Sequence, residues 1–98
     1  IAWRYVPMYD YETIEQFIKN MPIECLLVGV EMGGRPIENY AHPERAIYLL
    51  GAEDHGIPQD VTRLCNHVIT IPTIRTESYN VAVAGSIVMY DRLIKTEI

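Results

Sequence analysis

Long hydrophobic runs are missing from this 98-residue sequence. No apolar stretch approaches the roughly 18–20 residues that cross a bilayer. The N-terminal residues IAWRYVPMYD have neither the basic start nor the apolar core of a signal peptide. We therefore expect a cytoplasmic protein without a membrane partner. The chain also begins without Met, which suggests a processed, trimmed or excised chain.

Basic residues are few. Eight Lys and Arg residues stand against thirteen Asp and Glu residues, which gives a net charge of −5. Non-specific affinity for a phosphate backbone comes from Lys and Arg, which displace its counterions. The sequence therefore does not favour a chain that holds nucleic acid unaided, and an RNA substrate would need basic groups from elsewhere or a local patch.

Cysteine is also scarce, and its spacing is not that of a metal or redox motif. Cys25 and Cys65 lie in or beside apolar runs, and no CxxC pair is present. We expect two buried, reduced thiols, with a disulfide or a metal site as the less favoured alternatives. His42, His55 and His67 have no ligand-like spacing relative to the cysteines, so the sequence predicts no metal site.

The first half of the chain contains one helix and one buried strand by pattern. Asp10 is a suitable N-cap for a helix that runs to about Met21, with an apolar stripe at helical spacing and Pro22 to end it. Cys25–Glu31 is apolar throughout, as in a strand covered on both faces. Met32–Pro36 has the composition of a turn.

The second half alternates between strands and helices. A polar loop is predicted over 37–45, a buried strand over 46–51, a short helix from Pro58 through Leu64 and a β-branched strand over 67–72. A closing helix of about four turns follows Asn80. This order predicts one α/β domain with a mainly parallel sheet flanked by helices.

The closing helix has two notable features. One face carries larger apolar residues, namely Val83, Ile87, Tyr90 and Ile94. The segment 82–86 also holds the small residues Ala, Ala, Gly and Ser. Small residues let another backbone approach closely, so this helix suits tight packing or a dimer interface.

Two loops are candidates for a ligand site, because each follows a predicted strand. Ligands of open α/β sheets bind beyond the carboxyl ends of the strands. The first loop lies in Leu49–Pro58, where Gly51 allows close backbone approach and Gly56 can adopt a positive φ. Alone, this loop is a weak signal: an ordinary turn, with Glu53 as a solvated or helix-capping carboxylate, explains it equally well.

The second loop lies in Thr70–Gly85 and is polar where the closing helix begins. By itself, Asn80 is more often a helix cap than a ligand. His55, beside Asp54 in the first loop, is a possible general base, but no nucleophilic residue lies at a sequence spacing that would indicate a catalytic pair. An exposed structural role for His55 is the simpler interpretation.

The combination is more specific than its parts. LLGAEDHGIPQDV, LCNHVITIP and SYNVAVAGSIVMYD occur in this order, and LLVGVEMGGRPIENY precedes them. The combination resembles the second and third motifs of the SpoU/TrmH-type branch of the SPOUT RNA methyltransferases, from about Tyr5 to the C-terminus. The resemblance implies an α/β fold with a deep trefoil knot near the C-terminus. Knots are so rare in proteins that general folding rules would not predict one.

The resemblance further implies S-adenosylmethionine as cofactor, bound in a bent shape largely through backbone groups. Glu53 and Gly56 match the second motif and would hold the loop's shape or touch substrate. The other cofactor-binding positions are Val30, Gly51, Ile71, Pro72, Ser78, Tyr79 and Asn80. The sequence departs from the family pattern at Thr73, where Met is usual, and at Tyr79, where Leu is usual.

Family members methylate a ribose 2′-hydroxyl of tRNA or rRNA and are generally homodimers, with the last helix near the two-fold axis. Their catalytic Arg belongs to a first motif of the Asn-x-Gly…Arg type, which we do not find here; Arg4 and Arg75 do not match it. We thus expect a domain that lacks its first-motif region. A non-catalytic, knotted RNA-binding or dimerisation module is the alternative. Another nucleotide-binding α/β domain is disfavoured, since neither GxGxxG nor a P-loop is present.

Overall fold

The computed structural model describes residues 13–51, 56–72 and 81–96. The elements follow in the order α1 (Ile14–Lys19), β1 (Leu26–Pro36), a 3₁₀ turn (Ile37–Asn39), β2 (Ala46–Leu50), α2 (Gln59–Thr62), β3 (His67–Thr70) and α3 (Val81–Thr96). The predicted alternation of helices and strands is confirmed. None of the helices in these ranges has the length and apolar character that a membrane span requires.

The three strands form one parallel sheet in the order β2–β1–β3. β1 is the central strand and pairs through 26–30 with all of β2, and through 28–30 with 67–69 of β3. Its residues 27–30 are buried, as expected for an apolar run covered on both faces. The prediction of an α/β fold with a parallel sheet is therefore confirmed.

β1 continues beyond the point where the sequence predicted a turn. Val30 and Arg35 both lie opposite Ile69, so the strand contains a bulge and then resumes pairing with β3. Gly33 has a φ of +85°, and a Cβ on Gly34 would lie 2.6 Å from the carbonyl oxygen of Val68. The predicted turn at 32–36 was wrong because these glycines bend the strand and let it approach β3 again.

The predicted polar loop over 37–45 contributes to the core. Ile37 is 6% exposed and Tyr40 is 2% exposed. They pack with Val28, Val30, Ile69 and Val88 in one hydrophobic cluster. The prediction of a polar loop missed this burial because two apolar residues are isolated among polar neighbours.

The first helix is shorter than predicted. Its N-cap is Thr13, whose Oγ1 accepts a hydrogen bond of 3.0 Å from the Gln16 amide. The predicted N-cap, Asp10, lies outside the described residues. The helix ends at Lys19 rather than near Met21, with Asn20 as its C-cap; the Asn20 side-chain amide donates to the Gln16 carbonyl at 2.8 Å and competes with continued helix.

The other boundaries differ by one or two residues. Pro58 is the N-cap of α2 rather than part of its first turn, and the helix ends at Thr62 instead of Leu64. β3 ends at Thr70 instead of Pro72. Asn66 fixes where β3 begins, because its Oδ1 accepts from the Leu27 amide and its own amide donates to the Leu27 carbonyl, both at 2.7 Å.

The closing helix α3 packs on the sheet through Ala84, Gly85 and Val88, whereas Ala82 and Ser86 are exposed. Ala84 and Val88 are buried, and a Cβ on Gly85 would lie 3.4 Å from Cδ1 of Leu50 in β2. Most of the predicted apolar face points away from the sheet: Val83, Tyr90 and Ile94 are 46%, 65% and 41% exposed, while Ile87 is half-buried. The expected trefoil knot involves the chain between Pro72 and α3, where 73–80 lie outside the described residues, so the knot stays a prediction.

A buried polar cluster attaches the C-terminal half of α3 to the segment before β2. The His42 side chain is fully buried; its Nδ1 lies 2.7 Å from the Tyr48 hydroxyl and its Nε2 lies 2.7 Å from Oδ2 of Asp91. Lys95 contacts the same carboxylate oxygen at 2.8 Å. Burial raises the pKa of Asp91, but hydrogen bonds and charge from Lys95 and His42 outweigh burial and lower that pKa overall.

The two basic residues of this region bind backbone carbonyls. Arg92 donates to the carbonyls of Pro43 and Glu44, both at 2.7 Å. Lys95 donates to the carbonyls of Ile37 and Tyr40 at 2.6 and 2.9 Å. These bonds satisfy carbonyls of an irregular segment that has no ladder partner.

Candidate functional site

The carboxyl ends of β2 and β3 lie on either side of Val30, where the part of β1 that pairs with both neighbours ends. Val30 lies opposite Leu50 on one side and opposite Ile69 on the other. Gly51 follows Leu50 directly, and Ile71 follows Ile69 by two residues. The parallel topology therefore brings three of the predicted cofactor-binding positions to the edge where α/β sheets bind ligands.

The loop after β2 is described at Gly51, Gly56 and Ile57, which we call the β2 loop, and here its two ends lie against each other. Gly56 has a φ of +66°, as the sequence predicted. A Cβ on Gly51 would overlap the backbone of Gly56 and Ile57. Glycine at position 51 thus permits a close approach within the loop itself, between its first and last residues.

Glu31 holds the far end of the β2 loop. Its Oε2 accepts a hydrogen bond of 2.5 Å from the Ile57 amide, and its Oε1 accepts one of 2.8 Å from the Met32 amide. A Cβ on Gly56 would overlap the Glu31 carboxylate. Sequence reasoning placed Glu31 only at the end of a strand; the available signal was a carboxylate that ends an otherwise apolar run.

The other predicted site residues differ in exposure. Val30 is 9% exposed and belongs to the core cluster, while Ile71 is partly buried against that cluster. Pro72 is exposed. The remaining predicted positions, Glu53, Ser78, Tyr79 and Asn80, lie outside the described residues, as does the possible base His55.

Beneath the strand edge, a cysteine packs against the centre of β1. A Cβ on Gly29 would lie 3.1 Å from Sγ of Cys65, so a larger residue there would require the thiol to shift by a few tenths of an ångström. The Cys65 thiol lies 3.7 Å from the Val61 carbonyl, and burial raises the pKa of this thiol. Cys25 and Cys65 are both free and both half-buried, so the expected full burial was too strong. The described residues contain no group of three or more His, Cys, Asp or Glu side chains placed to hold a metal.

Several solved structures resemble the chain, and two of them are methyltransferases of related families. A protein assigned as an RNA methyltransferase of the TrmH family, from Porphyromonas gingivalis, superposes with a TM-score of 0.63 at 29% identity over 69% of this chain. The SpoU methyltransferase AviRb from Streptomyces viridochromogenes, solved with AdoMet, gives a TM-score of 0.67 at 21% identity over 84% of this chain. The chain spans only 29% and 31% of those two proteins.

Sequence comparison identifies the family directly. No curated protein matches the chain. The family model of the SpoU rRNA Methylase family matches residues 1–90, which is nearly the whole chain. The motifs that carried the resemblance lie within this match up to Tyr90. The chain therefore belongs to the SpoU rRNA methylase family.

Proposed function

We propose that this chain is the S-adenosylmethionine-binding part of an RNA methyltransferase that methylates a ribose 2′-hydroxyl of tRNA or rRNA. The observation that carries the proposal is the meeting of Val30, Gly51 and Ile71 at the carboxyl edge of the sheet, in a chain of this family. In this proposal the loops after β2 and β3 bind the cofactor from the two sides of β1.

The residues present are compatible with such a ligand. The strand ends supply backbone amides and carbonyls for the adenosine and amino-acid groups, and the partly buried side chains of Leu50 and Ile71 supply apolar walls. Gly51 keeps side-chain atoms out of the turn directly after β2. The cofactor, when bound, supplies an electrophilic methyl group on a sulfonium; the chain's part is to hold and orient it.

The charges of the described residues support a limited role for this chain in RNA binding. Arg92 and Lys95 are two of its eight basic residues, and both are engaged with backbone carbonyls of the 37–44 segment. The proposal therefore assigns proton removal from the 2′-hydroxyl to an Arg of the first motif, which no residue of this sequence matches. It also assigns most phosphate contacts to basic groups outside the described residues.

A homodimer is part of the proposal. The outward face of α3 carries large apolar side chains that are 41–65% exposed, namely Val83, Met89, Tyr90, Leu93 and Ile94. An exposed apolar patch of this kind is typical of a protein interface. We propose that this face meets its equivalent in a second copy of the chain.

Calorimetric titration with S-adenosylhomocysteine tests the cofactor assignment, with the Asn80→Ala variant beside the wild type. We expect saturable one-site binding that is weaker in the variant, since Asn80 matches a cofactor-binding position of the third motif. Asn39→Ala, on the exposed 3₁₀ turn, is the matched control and should bind like the wild type. A folded chain that binds none of the ligand would favour a non-catalytic RNA-binding or dimerisation module instead.

A further inference from the structure

We propose that Glu31 is the positioning residue of the β2 loop, and that its carboxylate sets the position of Gly56 and Ile57, on which cofactor affinity depends. The dependence on affinity rests on the proposed function, whereas the control of that position does not. Glu31 acts through the backbone of the loop, without a contact of its own to the cofactor. Its role is separate from those of Gly51, Glu53 and Gly56, which belong to the second motif.

The Ile57 amide needs this carboxylate. Ile57 is 7% exposed, so its N–H has little access to water. Oε2 of Glu31 accepts this N–H in a direct hydrogen bond of 2.5 Å. Hydrogen bonds to an ionised acceptor are short and strong, and a buried N–H without a partner is costly. The Glu31–Ile57 bond is thus a strong constraint on the end of the loop.

The second oxygen of Glu31 fixes the carboxylate itself. Oε1 accepts the amide of the next residue, Met32, at 2.8 Å, so the carboxylate is held against the backbone of β1. That backbone lies in the central strand, which is paired on both sides up to Val30. Glu31 therefore links the β2 loop to the most constrained strand of the sheet, across 26 residues of sequence.

A chain of packing contacts connects Glu31 with Gly51, at the start of the loop. The carboxylate occupies the space that a side chain on Gly56 would need, and the Gly56–Ile57 backbone occupies the space that a side chain on Gly51 would need. Gly51 therefore lies directly against the Gly56–Ile57 backbone, which in turn lies against the Glu31 carboxylate. Since Gly51 begins the proposed cofactor-binding segment, a change at Glu31 should alter that segment without touching the ligand.

A helix-capping role does not explain these contacts. The residue that caps α2 is Pro58, and the helix begins at Gln59, whereas Glu31 binds the amide of Ile57, before the cap. Nor is Glu31 used in an ion pair with any Lys, Arg or His in the part of the chain that the structure describes. Its charge is therefore available for the backbone amides alone.

The test compares Glu31→Gln and Glu31→Ala with Glu38→Ala, which removes an exposed carboxylate on the 3₁₀ turn. In the ligand-free chain, ¹⁵N–¹H spectra should show the Ile57 amide proton moving upfield and exchanging faster in both Glu31 variants, most in Glu31→Ala. Titration with S-adenosylhomocysteine should show an affinity loss of roughly 10- to 100-fold for Glu31→Ala. Glu31→Gln keeps one carbonyl oxygen and should lose less; Glu38→Ala should match the wild type in both measurements.

The two measurements separate the two proposals. An unchanged Ile57 amide in both Glu31 variants would overturn the positioning role, whatever the cofactor result. A displaced Ile57 amide with unchanged affinity would overturn the link to cofactor binding. If the folded wild type binds no S-adenosylhomocysteine, the proposed function fails, and the amide measurement still decides whether Glu31 positions Gly56 and Ile57.

Discussion

Nε2 of His42 lies 2.7 Å from Oδ2 of Asp91, across 49 residues of sequence. The other ring nitrogen faces the Tyr48 hydroxyl, which also accepts a hydrogen bond of 3.0 Å from Arg92. All partners are satisfied when Tyr48 donates to Nδ1 and His42 donates from Nε2 to the carboxylate. This cluster attaches the C-terminal half of α3 to the segment that precedes β2, and so holds the helix on the sheet.

Removal of the Asp91 carboxylate should destabilise the fold. Asp91→Ala leaves the buried Nε2–H of His42 and the Lys95 ammonium without their shared acceptor. We expect the free energy of unfolding to fall by about 1.5–3 kcal/mol, the usual range for hydrogen bonds to charged groups. Urea unfolding followed by circular dichroism measures the change, with Glu38→Ala as the control for the loss of an exposed carboxylate. Equal effects in the two variants would contradict a special role of Asp91.

The Asp91 contribution should depend on pH in one direction. The pKa of Asp91 is lowered in the folded state, so its stabilisation is fully present above the unfolded pKa of about 3.9 and is lost as pH falls through the folded value. The difference in unfolding free energy between the wild type and Asp91→Ala should therefore be largest above about pH 5 and shrink in more acidic buffer. A difference that stays constant down to pH 2.5 would show that packing, rather than ionisation, explains it.

The sequence predicted the elements well because each depends on neighbouring residues. The apolar run of β1 and the β-branched run of β3 have the composition of buried strands, and both form. The turn predicted at 32–36 failed because glycine is compatible with either a turn or a bulge. Only the approach of Gly34 to Val68 of β3 decides between them, and that contact joins distant parts of the chain.

The candidate site was predictable in part for the same reason. Gly51 and Gly56 belong to one local motif, and the positive φ of Gly56 follows from it. Glu31 and His42 were missed because their partners, Ile57 and Asp91, lie 26 and 49 residues away. A local pattern cannot specify a side-chain hydrogen bond over such separations; the folded topology does.

Alanine at Gly56 should be more harmful than alanine at Gly33. Both glycines have a positive φ, of +66° and +85°, so both substitutions strain the backbone by roughly 1 kcal/mol. A Cβ on Gly33 meets nothing within 4 Å, whereas one on Gly56 overlaps the Glu31 carboxylate. Gly56→Ala should therefore cost more stability and weaken S-adenosylhomocysteine binding, while Gly33→Ala should leave binding unchanged. Urea unfolding and calorimetry of both variants test this, and equal losses of affinity would contradict it.

Cys65 should react slowly with thiol reagents in the folded chain. Burial raises the pKa of its thiol, and only the thiolate attacks. With Cys25→Ser to leave a single thiol, alkylation by iodoacetamide at pH 8 should be slower than for a free cysteine peptide and should reach the peptide's rate in denaturing urea. Rapid alkylation without denaturant would show that the thiol is accessible and ionised.

The proposed dimer predicts that one charge on the outward face of α3 separates the two copies. Leu93 is 53% exposed and lies about one helical turn after Tyr90. Tyr90 is 65% exposed and can be tested in the same way. Burial of an unpaired carboxylate in an apolar interface costs several kcal/mol, so Leu93→Glu should weaken association by about 100-fold. Sedimentation equilibrium should then report a monomer where the wild type is a dimer.

The matched control for this experiment is Ile23→Glu. Ile23 is 85% exposed and lies between α1 and β1, so Ile23→Glu adds the same charge at an exposed apolar position that is not part of α3. If Ile23→Glu remains a dimer and Leu93→Glu does not, the interface lies on α3, because general charge repulsion would affect both variants. If Leu93→Glu is still a dimer, the interface lies elsewhere on the chain. The apolar face of α3 would then be covered by a different partner. A monomeric wild type would overturn the homodimer itself.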